Sequence, residues 1–187
     1  MTAGAVLCGG RSRRMGTDKA FVEVAGVPMA ELVAAALVAG GCEPVVLVGG
    51  DTELLARFGH PVVADRFPGQ GPAGGVLTAL DAVPPGIVVV AACDVPMLDG
   101  EAVAAVARAV ADGACGAAVA VTDRWQPSLT AWRTSARDDL VRAWTGGARA
   151  LHELIAAVPH DEVAVDPEVL RNVNTRDELS AAEDASR

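Results

Sequence analysis

Aromatic side chains supply only 3% of the 187 residues, although 51% of the chain is hydrophobic. A core with so few large rings must be built from Ala, Val and Leu, which suit closely packed helices and parallel strands. That length and apolar share fit one compact α/β domain, residues 1–187, better than two. No apolar stretch reaches the roughly 20 residues that a membrane span requires. The first apolar run lacks a basic segment before it and a cleavage site behind it, so no signal peptide is expected and a cytoplasmic location is. Positive charge is scarce: 15 basic residues stand against 24 acidic ones, a net charge of −9. Such a surface argues against nucleic acid as the main partner, because phosphate backbones are repelled.

Metal and redox signatures are missing as well. Cys8, Cys42, Cys93 and Cys115 show no C-x2-C spacing, so neither a zinc site nor a disulfide framework is expected, and the thiols read as small buried apolar residues. His60, His152 and His160 are scattered and read as incidental. No Ser-His-Asp set stands out.

What is present is an alternation of strand and helix patterns. Strands are predicted over 3–8, 44–48, 61–64, 86–92, 116–121 and 127–132, with a weaker one near 162–165. Their nearly continuous apolar runs suit strands buried on both faces. Met29, Leu32, Val33, Ala36 and Leu37 recur at helical spacing between Pro28 and Gly40–Gly41. Val103, Val106, Ala107 and Val110 repeat the pattern behind Asp99, a candidate N-cap. Further helices are predicted over 73–82, 135–145 and 148–157, and Thr175 with Glu178 has capping-box spacing. The whole reads as a mostly parallel, doubly wound, Rossmann-like sheet. Ligands bind such sheets beyond the carboxyl ends of the strands, here at loops 9–19, 65–75 and 93–98.

The first of these loops is unusual. Arg11, Arg13, Arg14 and Lys19, four of the 15 basic residues, crowd in behind Gly9–Gly10. The glycines allow close backbone approach and an anion-binding nest. Arg14 and Lys19 add charge for a small anionic ligand such as a triphosphate. Neither G-x-x-x-x-G-K-[ST] nor G-x-G-x-x-G is matched, so a solvated basic loop is the alternative.

The stretch LCGGRSRRMGTDKA resembles the signature L-x-G-G-x-S-x-R-M-G-x-D-K of the MobA-type molybdenum cofactor guanylyltransferases, within the wider nucleotidyltransferase fold. In order along the chain, ADRFPGQGPAGG resembles that family's D-x(n)-G-P-L-A-G loop, AACDVPML its C-D-x-P-x-L, QPSLTAW its H-P-x-x-A-L and NVNTRDEL its N-x-N-T-x-x-[DE]-L. Departures are Cys8 for the usual Ala, Ala73 and Gly74 within the G-P-L-A-G loop, and Gln126 for the common His.

The resemblance implies transfer of GMP from GTP to the phosphate of molybdopterin, with release of pyrophosphate and with Mg2+ as cofactor. Alignment of two anions and charge neutralisation are then the whole task, since the attacking phosphate is already ionised. It implies nucleotide contacts by Leu7, Cys8, Gly9, Gly10, Arg14 and Lys19. Asp94, a carboxylate ending a very apolar strand, would hold the metal; a turn cap is its alternative. Asp65 would contact the nucleoside, or merely shape the turn before Pro68. Asn172 and Asn174 would line the metal or acceptor side, or serve as turn residues. Asp18 would orient Lys19 or cap the loop. Residues 1–100 would bind the nucleotide and 101–180 the acceptor. The Gly9–Gly10 pair favours GTP over CTP, because cytidylyltransferase relatives tend to read L-A-A-G. Use of CTP, a sugar or polyol phosphate acceptor, and a non-catalytic nucleotide-binding partner of molybdoenzymes or cofactor-insertion proteins are the competing expectations.

Overall fold

The computed structural model describes residues 1–9, 18–175 and 178–180. In chain order its strands are β1 Thr2–Leu7, β2 Glu23–Val24, β3 Val27–Pro28, β4 Val45–Val48, β5 Val62–Val63, β6 Ile87–Ala92, β7 Ala117–Val121, β8 Trp125–Arg133 and β9 His160–Ala164. Its α-helices are α1 Met29–Ala39, α2 Thr52–Leu55, α3 Pro72–Ala82, α4 Gly100–Asp112, α5 Arg137–Thr145 and α6 Leu151–Ala156. Seven strands form one sheet in the order β5-β4-β1-β6-β8-β7-β9. β5, β4, β1 and β6 run parallel, β8 is antiparallel to both neighbours, and β9 is parallel to β7.

Side-chain alternation along these strands builds two cores. Val6, Leu47, Val89, Ala91 and Leu129 face α1 and α4, which contribute Val33, Leu37, Val103 and Val106. Ala5, Val46, Val88, Val90 and Trp132 face α3, α5 and α6, which contribute Leu77, Leu140 and Leu154. The sheet is covered on both faces, so its strands tolerate unbroken apolar sequence. Each fully buried Leu or Val adds roughly 1.5–3 kcal/mol of transfer free energy. Trp132 is the largest fully buried side chain, and its indole N–H donates to Thr130 Oγ1 at 2.8 Å. Each partner thus satisfies the other, where an unpaired buried polar atom would cost about 1–3 kcal/mol.

The helix signals act as read from the sequence. The Asp99 carboxylate caps α4 by accepting the Ala102 N–H at 2.8 Å. Pro72 opens α3, and Gly40 closes α1 with its N–H on the Ala36 carbonyl. Two elements went unanticipated. α2 is a single turn capped by Asp51, and the β2–β3 hairpin has strands of two residues, too short to show a period. Its turn places Ala25 at φ +50° and Gly26 at φ +82°, and alanine is not a residue that announces such a turn.

Candidate active site

Lys19 is the chain's only lysine. It opens a short 3₁₀ turn, Lys19–Phe21, capped by Asp18, whose carboxylate accepts the Ala20 N–H at 3.2 Å. Asp18 therefore takes the capping role among the two expected of it. Burial pushes its carboxyl above the ordinary range; the Ala20 N–H opposes the rise and the charge of Asp51 adds to it.

The turn carries the Lys19 ammonium to the end of β6. There Nζ donates to Asp94 Oδ2 at 2.9 Å and also to Asn174 Oδ1. The main-chain carbonyl of Asp94 accepts the Val173 N–H at 2.8 Å, which draws the 172–174 segment alongside β6. The capping box behind it is formed. Glu178 Oε2 accepts the N–H groups of Asn174 and Thr175, and Thr175 Oγ1 accepts the Glu178 N–H at 3.3 Å. Those backbone donors hold the Glu178 carboxyl below the usual range. Three motifs far apart in sequence thus meet at one ammonium group. Its side chain and that of Asp94 are 21% and 18% exposed, so solvent screens the pair less than a surface one.

Oxygens of Asp94 and Asn174 converge on a single cationic atom. Hard oxygens arranged around one positive centre are the donor set that Mg2+ accepts, with substrate phosphates and water completing the shell. Among the described residues no cluster of three His, Cys, Asp or Glu could bind a metal on its own. The residues present therefore fit a metal shared with a phosphorylated ligand.

Two cavities open here, and Leu7, Gly9 and Pro72 line both. The larger, about 900 Å3, lies over β1, β4 and β5 and is walled by Gly9, Gly49, Gly50, Gly69, Gly71 and Gly75, together with Asp18 and Asp65. Among the described residues a Cβ at Gly9 would meet nothing within 4 Å, so none of them demands glycine there and the missing side chain leaves room for a ligand. Gly49 is different: it sits at φ +78°, and a Cβ would stand 3.2 Å from the Gly9 backbone. Asp65 takes the turn-shaping role expected of it and stands in a cavity wall. Its Oδ1 accepts the Phe67 N–H at 2.9 Å, shaping the turn, while the residue also lines the larger cavity.

The smaller cavity, about 520 Å3, lies over β1, β6 and β8. Leu7, Val90, Ala92 and Ser128 line it from the sheet, Pro72 and the Ala150–His152 segment from the helices, and Cys8, Gly9, Lys19, Cys93, Asp94 and Asn172 complete it. Burial disfavours the thiolate form of both cysteines. Burial pushes Cys8 up to about 12 and Cys93 well above its ordinary value. All four cysteines are free and buried.

The structure thus brings together Leu7, Cys8, Gly9, Lys19, Asp94, Asn172 and Asn174, with Asp65 across the shared wall. Gly10 and Arg14 lie outside the described residues, as do Arg11 and Arg13. Ser128, within the QPSLTAW stretch but not singled out there, and His152, read as incidental, also line the smaller cavity. The departures from the family pattern also resolve. Gln126 donates to Thr122 Oγ1 at 2.7 Å and serves the β7–β8 hairpin. At Gly74 a Cβ would stand 2.7 Å from Phe67 Cβ and 3.4 Å from the Trp144 ring, so these rings fill the space a larger residue would take.

Known proteins resemble this chain in sequence and fold. The sequence profile of the MobA-like NTP transferase domain matches residues 4–173. A molybdenum cofactor guanylyltransferase of Cupriavidus metallidurans is 36% identical, over 98% of this chain and 95% of its own. The crystal structure of molybdopterin-guanine dinucleotide biosynthesis protein A from Archaeoglobus fulgidus superposes with a TM-score of 0.83 at 28% identity, covering 100% of this chain and 98% of that one. The fold alone is shared with CMP:2-keto-3-deoxy-manno-octonic acid synthetase complexed with CTP, at a TM-score of 0.80 and 14% identity over 99% of this chain and 98% of that one. With the profile spanning the strands, the glycine loops and the Lys19–Asp94 junction alike, the chain belongs to the MobA-like NTP transferase family, whose members are nucleotidyltransferases.

Proposed function

We propose that the protein transfers GMP from GTP to the phosphate of molybdopterin, forming the guanine dinucleotide and releasing pyrophosphate. The observation that carries this reading is the Lys19–Asp94–Asn174 junction, whose Lys19 and Asp94 line the smaller cavity, which in turn shares Leu7, Gly9 and Pro72 with the larger one. The larger cavity draws all its lining from residues 7–75, which supports a nucleotide-binding part within about 1–100. The smaller one adds Pro127, Ser128, Ala150–His152 and Asn172, which supports an acceptor part within about 101–180.

In the reaction an acceptor phosphate oxygen forms a bond to the α-phosphorus of GTP, and the bond to the β-phosphate oxygen breaks. That oxygen is already ionised near neutral pH, so no residue need remove a proton. Lys19 places a positive charge at the junction, and its two fixed acceptors remove the cost of orienting it during reaction. Arg14, from the same motif, supplies a second charge to the triphosphate, and the Gly9–Gly10 backbone cradles it. Asp65 lies on the nucleoside side. Asp94, with oxygen from Asn174 nearby, would hold Mg2+, which when bound draws charge off the phosphates and the leaving pyrophosphate. Asn172 faces the acceptor. Hand-over of the product to a molybdoenzyme or a cofactor-insertion protein completes this reading.

The test is pyrophosphate release across GTP, CTP and ATP, with and without molybdopterin, with the product identified by mass. The reading expects release with GTP and molybdopterin together, and a product one GMP heavier than the acceptor. A preference for CTP, or release with a sugar or polyol phosphate but not with molybdopterin, would replace it.

A further inference from the structure

The face of β8 toward α5 and α6 carries Ser128, Thr130 and Trp132 in strand alternation. Thr130 and Trp132 satisfy each other. Ser128 does not follow them: its Oγ is buried and has no hydrogen-bond partner among the described residues. Such an atom is costly to fold around unless something else satisfies it.

The reason for its position lies in the β7–β8 pairing. Val119 opposes Thr130, yet the next residue, Ala120, opposes Gln126. Pro127, Ser128 and Leu129 therefore have no counterpart on β7 and form a bulge, while Leu129 still pairs with Ala91 of β6. Pro127 has no N–H to lose there. Bulges re-aim side chains beside functional sites, and this one sets Ser128 into the wall of the 520 Å3 cavity. The sheet side of that wall is otherwise apolar, made by Leu7, Val90 and Ala92, while Lys19 and Asp94 are charged groups of the same cavity.

Resting on the acceptor reading above, we propose that Ser128 is a specificity-determining residue for the acceptor. Its hydroxyl exchanges a hydrogen bond with an edge heteroatom of the acceptor's flat ring system, while Leu7, Val90, Ala92 and Leu151 contact the ring's apolar surface. The acceptor phosphate then points to Lys19. An apolar wall with one hydroxyl rejects an acceptor that lacks the matching heteroatom, because Ser128 would stay unpaired.

The experiment compares wild type, Ser128→Ala and Ser128→Cys, the last close in shape but a weak hydrogen bonder. Three quantities are read: KM for molybdopterin from pyrophosphate release, GTP affinity by calorimetry, and the melting temperature of the free protein. Both variants should raise KM for molybdopterin about five- to fifty-fold and leave GTP affinity within about twofold. Removing an unpartnered hydroxyl should leave the melting temperature unchanged or higher. An unchanged molybdopterin KM in Ser128→Ala overturns the proposal. So does a wild-type KM in Ser128→Cys, which would mean that shape alone matters, or a melting temperature lowered by several degrees, which would give the hydroxyl a structural role. Failure of the wild-type protein itself to release pyrophosphate with GTP and molybdopterin overturns the reading on which the proposal rests.

Discussion

The two cavities recognise by different means. The larger one is rich in glycine: positions 9, 49, 50, 69, 71 and 75 bring no side chain to its lining. Around the smaller one side chains predominate: leucine, valine and proline form an apolar wall that holds the Ser128 hydroxyl, and Lys19, Asp94, His152 and Asn172 supply the polar part. Backbone recognition suits a ligand part common to a whole superfamily, the nucleoside triphosphate. Side-chain recognition can be altered residue by residue, and one departure from the family motifs, Cys8, lines that cavity. The Lys19–Asp94 pair at the junction is where the two modes must cooperate.

The comparison can be broken at its centre first. Asp94→Asn should fold normally, since the side chain sits at a cavity edge and the replacement is nearly isosteric. Turnover should fall on the order of 10²-fold or more. Wild-type turnover by a folded Asp94→Asn protein at saturating Mg2+ would remove Asp94 from the chemistry.

Next in size is the phosphate grip. Lys19→Ala, and Arg14→Ala from the same motif, should weaken GTP binding about 10- to 100-fold, as expected for losing a charge-assisted hydrogen bond. GMP binding should suffer much less. Calorimetry with both nucleotides separates the cases; equal losses would place these residues away from the triphosphate.

Base choice sharpens the backbone side of the comparison. Gly10→Ala should shift the GTP-to-CTP ratio of kcat/KM toward CTP by about 1–3 kcal/mol, the usual value of one methyl in a fitted site. A general loss with an unchanged ratio would make Gly10 a turn residue only.

The smallest effect is structural. Gly49→Ala forces alanine to φ +78° and brings its Cβ to 3.2 Å from the Gly9 backbone. It should destabilise by about 1–2 kcal/mol, lowering the melting temperature by a few degrees. Because Gly9 is displaced, GTP affinity should fall while molybdopterin KM changes less. An unchanged melting temperature would show that the turn relaxes freely.

The same contrast governs what could be read from sequence. The strands of the parallel half were legible because a strand buried on both faces must be apolar throughout, as in Ile87–Ala92. Asp94 stood out because charge is costly at the end of such a strand, and Lys19 because it belongs to a basic cluster on an acidic chain. The sequence did not reveal that Lys19 meets Asn174 as well as Asp94, since that depends on the Val173 N–H bonding the Asp94 carbonyl across the fold. Ser128 was illegible for a different reason. Its neighbours read as a plain strand over 127–132, and only the slipped register against β7 sets it in a cavity wall. His152 follows Leu151 at the start of a six-residue helix, too short to carry a pattern that assigns a face.

The central claim is that GTP and molybdopterin occupy the two cavities and react at their shared wall. A crystal structure with molybdopterin and a GTP analogue carrying a methylene bridge between the α- and β-phosphorus atoms tests it directly. The account predicts the guanine among Gly9, Gly49 and Asp65, the α-phosphate beside Lys19, and the molybdopterin ring against Ser128 with its phosphate facing the α-phosphorus. A nucleotide lodged against Ser128, or an acceptor bound away from the 520 Å3 cavity, would contradict it.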